Sequence, residues 1–301
     1  MRCGWTRNTA LALAAVALVS LAAAPAGAQQ QIERGARASP DATIRIYNLS
    51  GSTTVAGWDR DSVAVIGTLE VGAGRFYIGG GPSAIKLGVE PQDGNTVPRA
   101  TRLDVRVPFG SVVWIKAADG SIDVDGVHGG LDLYSVSGDV SVRGAPATVR
   151  AESMEGGVSI HARTPWARAK TASGAINVAG DVADLAVTTV SGSVRVAASR
   201  QARARIESVT GEVVVTGRPT RGGAWEIETH SGSVTLALAS ETDAEVTVHS
   251  FGGEVRSELG RVVSRRVEDL AGSELGIVAG AGGTSFTVRT FKGPVVIRAA
   301  S

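Results

Sequence analysis

Five glycines, Gly120, Gly138, Gly156, Gly174 and Gly192, stand 18 residues apart. Four equal intervals are hard to obtain by chance, and a fixed period is the signature of a chain built from stacked repeats. The series continues at Gly211, Gly232 and Gly253 with spacings of 19, 21 and 21, and resumes at Gly293 after an interruption. The second and fourth residues after each glycine are apolar: Ile122/Val124, Val140/Val142, Val158/Ile160, Ile176/Val178, Val194/Val196, Val213/Val215 and Val234/Leu236. That is one face of a strand at period two. Seven and five residues before the glycine the pattern recurs, from Leu131/Leu133 and Val149/Ala151 through Trp225/Ile227 to Phe286/Val288. Each module thus holds two short strands.

A module of two short strands cannot bury its own apolar face, so neighbours must stack and share one core. The predicted fold is therefore all-β: a parallel β-helix-like β-solenoid of roughly 18-residue two-strand coils, its equivalent strands pairing in parallel. A sandwich of antiparallel hairpins is the competing all-β fold, but its loops vary in length, whereas four successive intervals here are equal. Three residues before the glycine the chain carries a hydroxyl: Ser135, Ser153, Thr171, Thr189, Ser208, Thr229, Ser250 and Thr290. The position shares parity with the apolar pair, so it points inward at the bend. A ladder of Ser and Thr hydroxyls serving turn backbone groups explains it; a nucleophile is needed once, not eight times. A second glycine falls six residues after the first at Gly57, Gly126, Gly144, Gly180 and Gly217, where a positive φ is expected.

The module also appears early, with Ile44 and Ile46 before Gly51, Val55 and Gly57 after it, and Asn48 in the hydroxyl position. Residues 72–101 and 258–283 break the pattern and are expected as end caps or protruding hairpins, since exposed solenoid ends need blocking. The predicted organisation is a signal peptide over 1–28, a flexible lead-in over 29–40 and a single β-solenoid domain over 41–301. The signal is read from Arg2 and Arg7, the apolar run Ala10 to Ala24 and the small-residue site Ala26-Gly27-Ala28. That run is shorter than the roughly 20 residues of a membrane-spanning helix, so no integral membrane segment is expected in the mature chain.

Removing Arg2 and Arg7 from 30 basic residues leaves 28 against 29 acidic ones. A near-neutral chain has no general pull toward nucleic acid. Cys3, the sole cysteine, falls within the signal, so neither a disulfide nor a thiol nucleophile is available to the mature protein. Aromatics are 4% of the chain and glycines number 39, which suits thin, regularly packed β-layers.

Several segments carry a family likeness. They are Gly51-Ser52-Thr53-Thr54-Val55-Ala56-Gly57-Trp58-Asp59, the Ser-Gly-x-Val units at Ser137-Gly138-Asp139-Val140 and Ser191-Gly192-Ser193-Val194, and Gly282-Gly283-Thr284-Ser285-Phe286 leading to Thr290-Phe291-Lys292-Gly293. Over residues 41 to 298 the chain resembles the bacterial DUF4097 "putative adhesin" β-strand-repeat family. The resemblance implies a non-enzymatic envelope protein and supplies no catalytic residue. It departs from the pattern at the 72–101 insertion, at Glu155 and at Ser257.

The remaining candidates are few. Asp119, Asp123, Asp125, Asp132 and Asp139 form the densest acidic patch, on outward positions of two adjacent coils. Oxygen-rich clusters can hold Ca²⁺, but neither EF-hand spacing nor a Gly-Gly-x-Gly-x-Asp repeat is present, so a solvated negative face is the reading taken. His128, His161, His230 and His249 are isolated, which disfavours zinc. Arg195, Arg200, Arg203, Arg205, Arg218 and Arg221 form a basic zone read as a solvated face. Trp225 falls on an inward position and Trp166 is offset from the pattern. No cofactor is expected. The expected role is a non-catalytic, exported, periplasmic or surface-associated element that contacts an envelope protein or polysaccharide. An envelope-stress sensor or regulator partner is the alternative, and a polysaccharide-active enzyme with paired carboxylates the third reading.

Overall fold

The computed structural model describes residues 29–91, 100–268 and 272–300, and every regular element among them is a strand. The expected signal peptide lies outside the described residues. The chain opens with β1 (Gln30–Arg37), β2 (Thr43–Trp58), β3 (Ser62–Leu69), β4 (Arg75–Gly81), β5 (Ala84–Glu90), β6 (Thr101–Pro108) and β7 (Val112–Asp125). The periodic centre follows as β8 (Gly130–Ser135), β9 (Val140–Gly144), β10 (Thr148–Ser153), β11 (Val158–Ala162), β12 (Thr164–Thr171), β13 (Ile176–Ala179), β14 (Val182–Thr189) and β15 (Val194–Ala198). It continues with β16 (Arg203–Ser208), β17 (Val213–Gly217), β18 (Ala224–Thr229) and β19 (Val234–Leu238). The chain closes with β20 (Ala244–Ser250), β21 (Val255–Ser257), β22 (Arg261–Glu268), β23 (Gly272–Ala279), β24 (Thr284–Thr290) and β25 (Val295–Ala299).

From β7 to β19 the fold follows the period: each coil gives one strand to each of two facing parallel sheets. Val140, Val158, Ile176, Val194, Val213 and Val234 are successive direct partners on one sheet. Leu131, Val149, Ala167, Leu185, Ala204 and Trp225 form the matching row on the other. Both rows are buried in one continuous core. Burying a valine or leucine contributes about 1.5–3 kcal/mol, so a row repeated at every coil replaces the bulky centre that this composition lacks. The largest buried side chains meet near the C-terminal end, where Trp225 stacks on Phe286 with ring centroids 5.5 Å apart.

At both ends the coils leave sequence order. The first sheet runs β4, β5, β2, β7, β8, β10, β12, β14, β16, β18, β24, β20, β23, β22. The second runs β1, β3, β6, β2, β7, β9, β11, β13, β15, β17, β19, β25, β21. The early coil β2 is thus held between β7 and the later coil formed by β5 and β6. The late coil of β24 and β25 is wedged between β18/β19 and the earlier coil of β20/β21. Sequence periodicity implied coils stacked in chain order; the structure nests one coil inside another at each end.

The interruptions supply the outermost strands of the first sheet. β4 folds back antiparallel on β5, and β23 lies antiparallel on β20 with β22 beyond it. Within 72–101, β5 is itself part of a coil, pairing in parallel with β2. The lead-in expected to be flexible instead carries β1, whose residues pair with β3 from Gln30↔Leu69 to Arg37↔Ser62. Two anchors explain this: Ile32 is buried between exposed neighbours, and Ala36, four residues on, packs against the same core.

The corner glycines are held by close approach. A Cβ on Gly138 would lie 1.9 Å from the carbonyl oxygen of Gly120, and one on Gly174 2.0 Å from that of Gly156. Gly144, at φ +111°, does occupy the left-handed region. Gly57 does not: a Cβ there would lie 2.1 Å from the Gly126 carbonyl oxygen, so crowding and not backbone sign fixes that residue.

Candidate functional site

The inward hydroxyls lie against the glycine column. Ser135 accepts the Gly138 N–H at 3.0 Å and donates to the Gly120 carbonyl at 2.9 Å, and Ser153 does the same with Gly156 and Gly138. Further along, Ser208, Thr229, Ser250 and Thr290 donate to the carbonyls of Gly211, Gly232, Gly253 and Gly293. Thr171 donates to Gly174 and lies 3.2 Å from the Thr189 hydroxyl, which accepts the Gly192 N–H. These oxygens are buried and engaged with backbone.

The five aspartates are not brought together. Asp132 sits on β8, beside Trp114 in the first sheet, whereas Asp123 and Asp125 belong to the part of β7 in the second sheet. Asp139 accepts the Gly157 N–H at 2.7 Å, Asp119 accepts the Ser137 hydroxyl at 2.9 Å, and Arg143 stands 3.6 Å from Asp123. Among the described residues, no three His, Cys, Asp or Glu side chains converge as metal ligands would. The histidines are dispersed as well: His128 stacks on Phe109, His230 leans on Phe291, and His249 lies 3.9 Å from Glu274.

The basic zone is interleaved with carboxylates. Arg205 contacts Glu207, Glu226 and Glu228, Arg203 contacts Asp184, Arg200 Asp181, Arg195 Glu212 and Arg218 Glu241. Arg289 joins Glu226 and Glu228 from the neighbouring strand. Because β16, β18 and β24 are adjacent, their outward rows form one network of alternating sign, and the zone offers no broad positive field.

Two other surfaces stand out. The first runs along the corner beside the hydroxyl ladder, where the residue after each hydroxyl points out. Val136, Met154, Val190, Val209, Phe291 and Phe251 form an exposed apolar column, with Phe251 55% and Val190 52% exposed. Corner backbone bonds tie its rungs together: the Val190 N–H donates to Ala172, and the Ala172 N–H to Met154. At its C-terminal end Phe251 and Phe291 stack with centroids 4.8 Å apart. They rim an open cleft of about 610 Å³ that also contains Glu228, His249, Glu274 and Arg289.

The second surface is the outward side of the first sheet at its N-terminal end. β4, β5, β2, β7 and β8 lie side by side there. One rung carries Lys86, Arg45, Trp114 and Asp132, and the next carries Tyr77, Gly88, Tyr47, Lys116 and Tyr134. All three tyrosines of the chain are in this patch. The Lys86 ammonium rests over both Tyr47 and Tyr77, 4.8 and 5.6 Å from their centroids, and Lys116 sits 4.8 Å over Trp114. Tyr47 meets Trp114 edge-on at 5.2 Å. Burial, with Tyr47 and Glu90 nearby, holds the Tyr77 phenol above its ordinary pKa, so it is a neutral O–H donor at physiological pH. Gly88 brings no side chain between the two tyrosines, and an open cleft of about 760 Å³ lies over the β4–β5–β2 part of the patch.

The sequence reading missed this patch. Tyr47, Lys116 and Tyr134 each stand four residues before a corner glycine, so listing outward residues in register would have placed them in one row. Tyr77 and Lys86 come from the interruption and from a coil out of chain order, which periodicity does not reach.

The family model for Toastrack DUF4097 matches residues 43–218 and, in a second overlapping match, residues 163–295. The chain belongs to the Toastrack DUF4097 family. The two matches meet within the periodic centre, as expected for a Toastrack chain whose repeats align in more than one register. No curated protein matches the sequence. Among solved structures, a "putative adhesin" from Bacteroides fragilis NCTC 9343 is 11% identical, covering 89% of this chain and 97% of that one at a TM-score of 0.46. A "putative cell adhesion protein" from Clostridium sporogenes ATCC 15579 is 10% identical, covering 89% and 99% at a TM-score of 0.22.

Proposed function

We propose that this Toastrack protein is exported and acts as a non-catalytic, adhesin-like binding element of the bacterial envelope. The observation that carries this reading is the exposed corner column, which runs from coil to coil with a large apolar side chain on six of its eight rungs, Ala172 and His230 being the other two. Monomeric soluble proteins rarely leave contiguous apolar surface uncovered, and such surface marks an interaction site. A column that repeats with the coil suits an extended partner, whereas catalysis concentrates its groups at one point. Glu226 and Glu228 on β18 are engaged by Arg205 of β16 and Arg289 of β24, and Asp123 stands 3.6 Å from Arg143.

Two measurements test the proposal. In a fractionation experiment, the intact protein is expected outside the cytosol, and the protein lacking residues 1–28 inside it. In the second, the purified protein is expected to be retained by envelope fractions, and Val190→Asp combined with Val209→Asp should abolish retention without changing the far-UV circular dichroism. Retention unaffected by both charges would refute the column as the contact surface.

A further inference from the structure

We infer that the Tyr77, Lys86, Tyr47, Trp114, Lys116 and Tyr134 patch is a binding subsite for an acidic polysaccharide chain; this deepens the envelope-binding reading and rests on it. Three observations converge. Aromatics are scarce in this chain, yet four of them share two adjacent rungs of one outward face. Outward positions of a sheet are normally polar, so their placement there is not accounted for by core packing. Cations are interleaved with the aromatics: Lys116 lies between Tyr47 and Tyr134 on one rung, and Lys86 and Arg45 stand beside Trp114 on the next.

The chemistry of each element fits a sugar acid. A tyrosine or tryptophan ring offers an apolar face to the C–H side of a pyranose while its O–H or N–H stays available to hydroxyls. The lysine ammoniums now lie on those rings, held by attraction to the π face. An arriving carboxylate is the stronger partner for an ammonium, so it would draw Lys86 and Lys116 off the rings and open the faces to the sugar. Neighbouring strands lie about 4.8 Å apart. Tyr77, Tyr47 and Tyr134 are separated by two strands each and so recur near the length of a disaccharide unit, along a line across the sheet.

Charge distinguishes this ligand from a nucleic acid. Carboxylates border the patch as well: Asp132 is the direct partner of Trp114, Glu152 that of Tyr134, and Glu90 follows Gly88 on the outward side of β5. Carboxylates among the cations accept sugar hydroxyls but repel a dense phosphate backbone. The patch is therefore mixed, whereas polyanion sites that rely on counterion release are uniformly basic.

Affinity electrophoresis and titration calorimetry of the purified protein against polygalacturonate, alginate and hyaluronate provide the test, with dextran and single-stranded DNA as comparison polymers. At least one acidic glycan is expected to bind, with dextran and DNA at least tenfold weaker. Tyr47→Ala with Trp114→Ala, and separately Lys86→Gln with Lys116→Gln, should each weaken that binding tenfold or more. Arg205→Gln, on a distant part of the same sheet, should not. All these side chains face outward, and an unchanged melting curve verifies the fold of each variant. Binding to DNA as strong as to the glycan, or glycan binding that survives loss of the rings, would overturn the proposal in favour of simple charge attraction. Failure to bind any of the three acidic glycans, with envelope retention intact, overturns the subsite and leaves the column. Loss of both overturns the envelope-binding reading itself.

Discussion

At the scale of single residues, the glycine column is the most demanding part of the fold. Gly174→Val would place its Cβ 2.0 Å from the Gly156 oxygen, which forces two coils apart. Overpacking of this kind costs about 1–3 kcal/mol or more, so calorimetry should show a melting temperature lowered by several degrees. Gly79→Ala, where nothing lies within 4 Å, should melt as the parent does. Ser153→Ala removes a buried hydroxyl that accepts the Gly156 N–H and donates to Gly138, leaving both groups unpartnered. A cost of about 1–3 kcal/mol is expected in urea unfolding, with Ser153→Thr recovering most of it. Much of this was legible beforehand, because inward parity and a hydroxyl recurring on eight coils follow from counting along a strand. The cause of the glycines was not. Crowding between coils depends on a carbonyl 18 residues away, and nothing local to Gly57 distinguishes it from Gly144, which does take a positive φ.

Among elements, the two-strand coil was readable and the edges were not. Parallel partners such as Ile160 and Val178 follow from equal spacing alone. The β22–β23 hairpin comes from a segment without periodicity, and its place beside β20 is set by edge hydrogen bonding, which leaves no period in sequence. An uncovered strand edge invites pairing with another chain. Replacing residues 258–283 with a short linker should therefore leave the core folded but produce association visible by light scattering. A chain that stays monomeric at high concentration would show that the edge needs no cover. The ion-pair network on β16, β18 and β24 is a weaker support. Arg205 and Arg289 are half exposed, and exposed pairs contribute little to stability, less in salt. Arg205→Gln should shift the melting temperature little, and that little should vanish in high salt.

For the whole molecule, the nested end coils decide what can vary. Each internal coil touches only its neighbours, so stability accumulates by nearest-neighbour terms. Duplicating residues 157–174 should insert one more coil without disturbing either end, giving a folded protein whose melting temperature changes by only a few degrees. A loss of cooperative melting would contradict that independence. The candidate binding surfaces also belong to this scale. The corner column was implicit in the register, as the residue after each hydroxyl, whereas the aromatic patch required knowing that β5 lies outside β2.

The wedged position of β25 has a mechanical meaning. In a simple stack the last coil is bonded on one side and can peel away under tension, exposing the next. Here β25 is bonded to β19 on one flank and β21 on the other. Pulling it out must rupture two ladders at once, so an optical-trap experiment should record a higher first rupture force at this end than in a variant cut after residue 257. A tether anchored there would resist drag through its topology, without a disulfide.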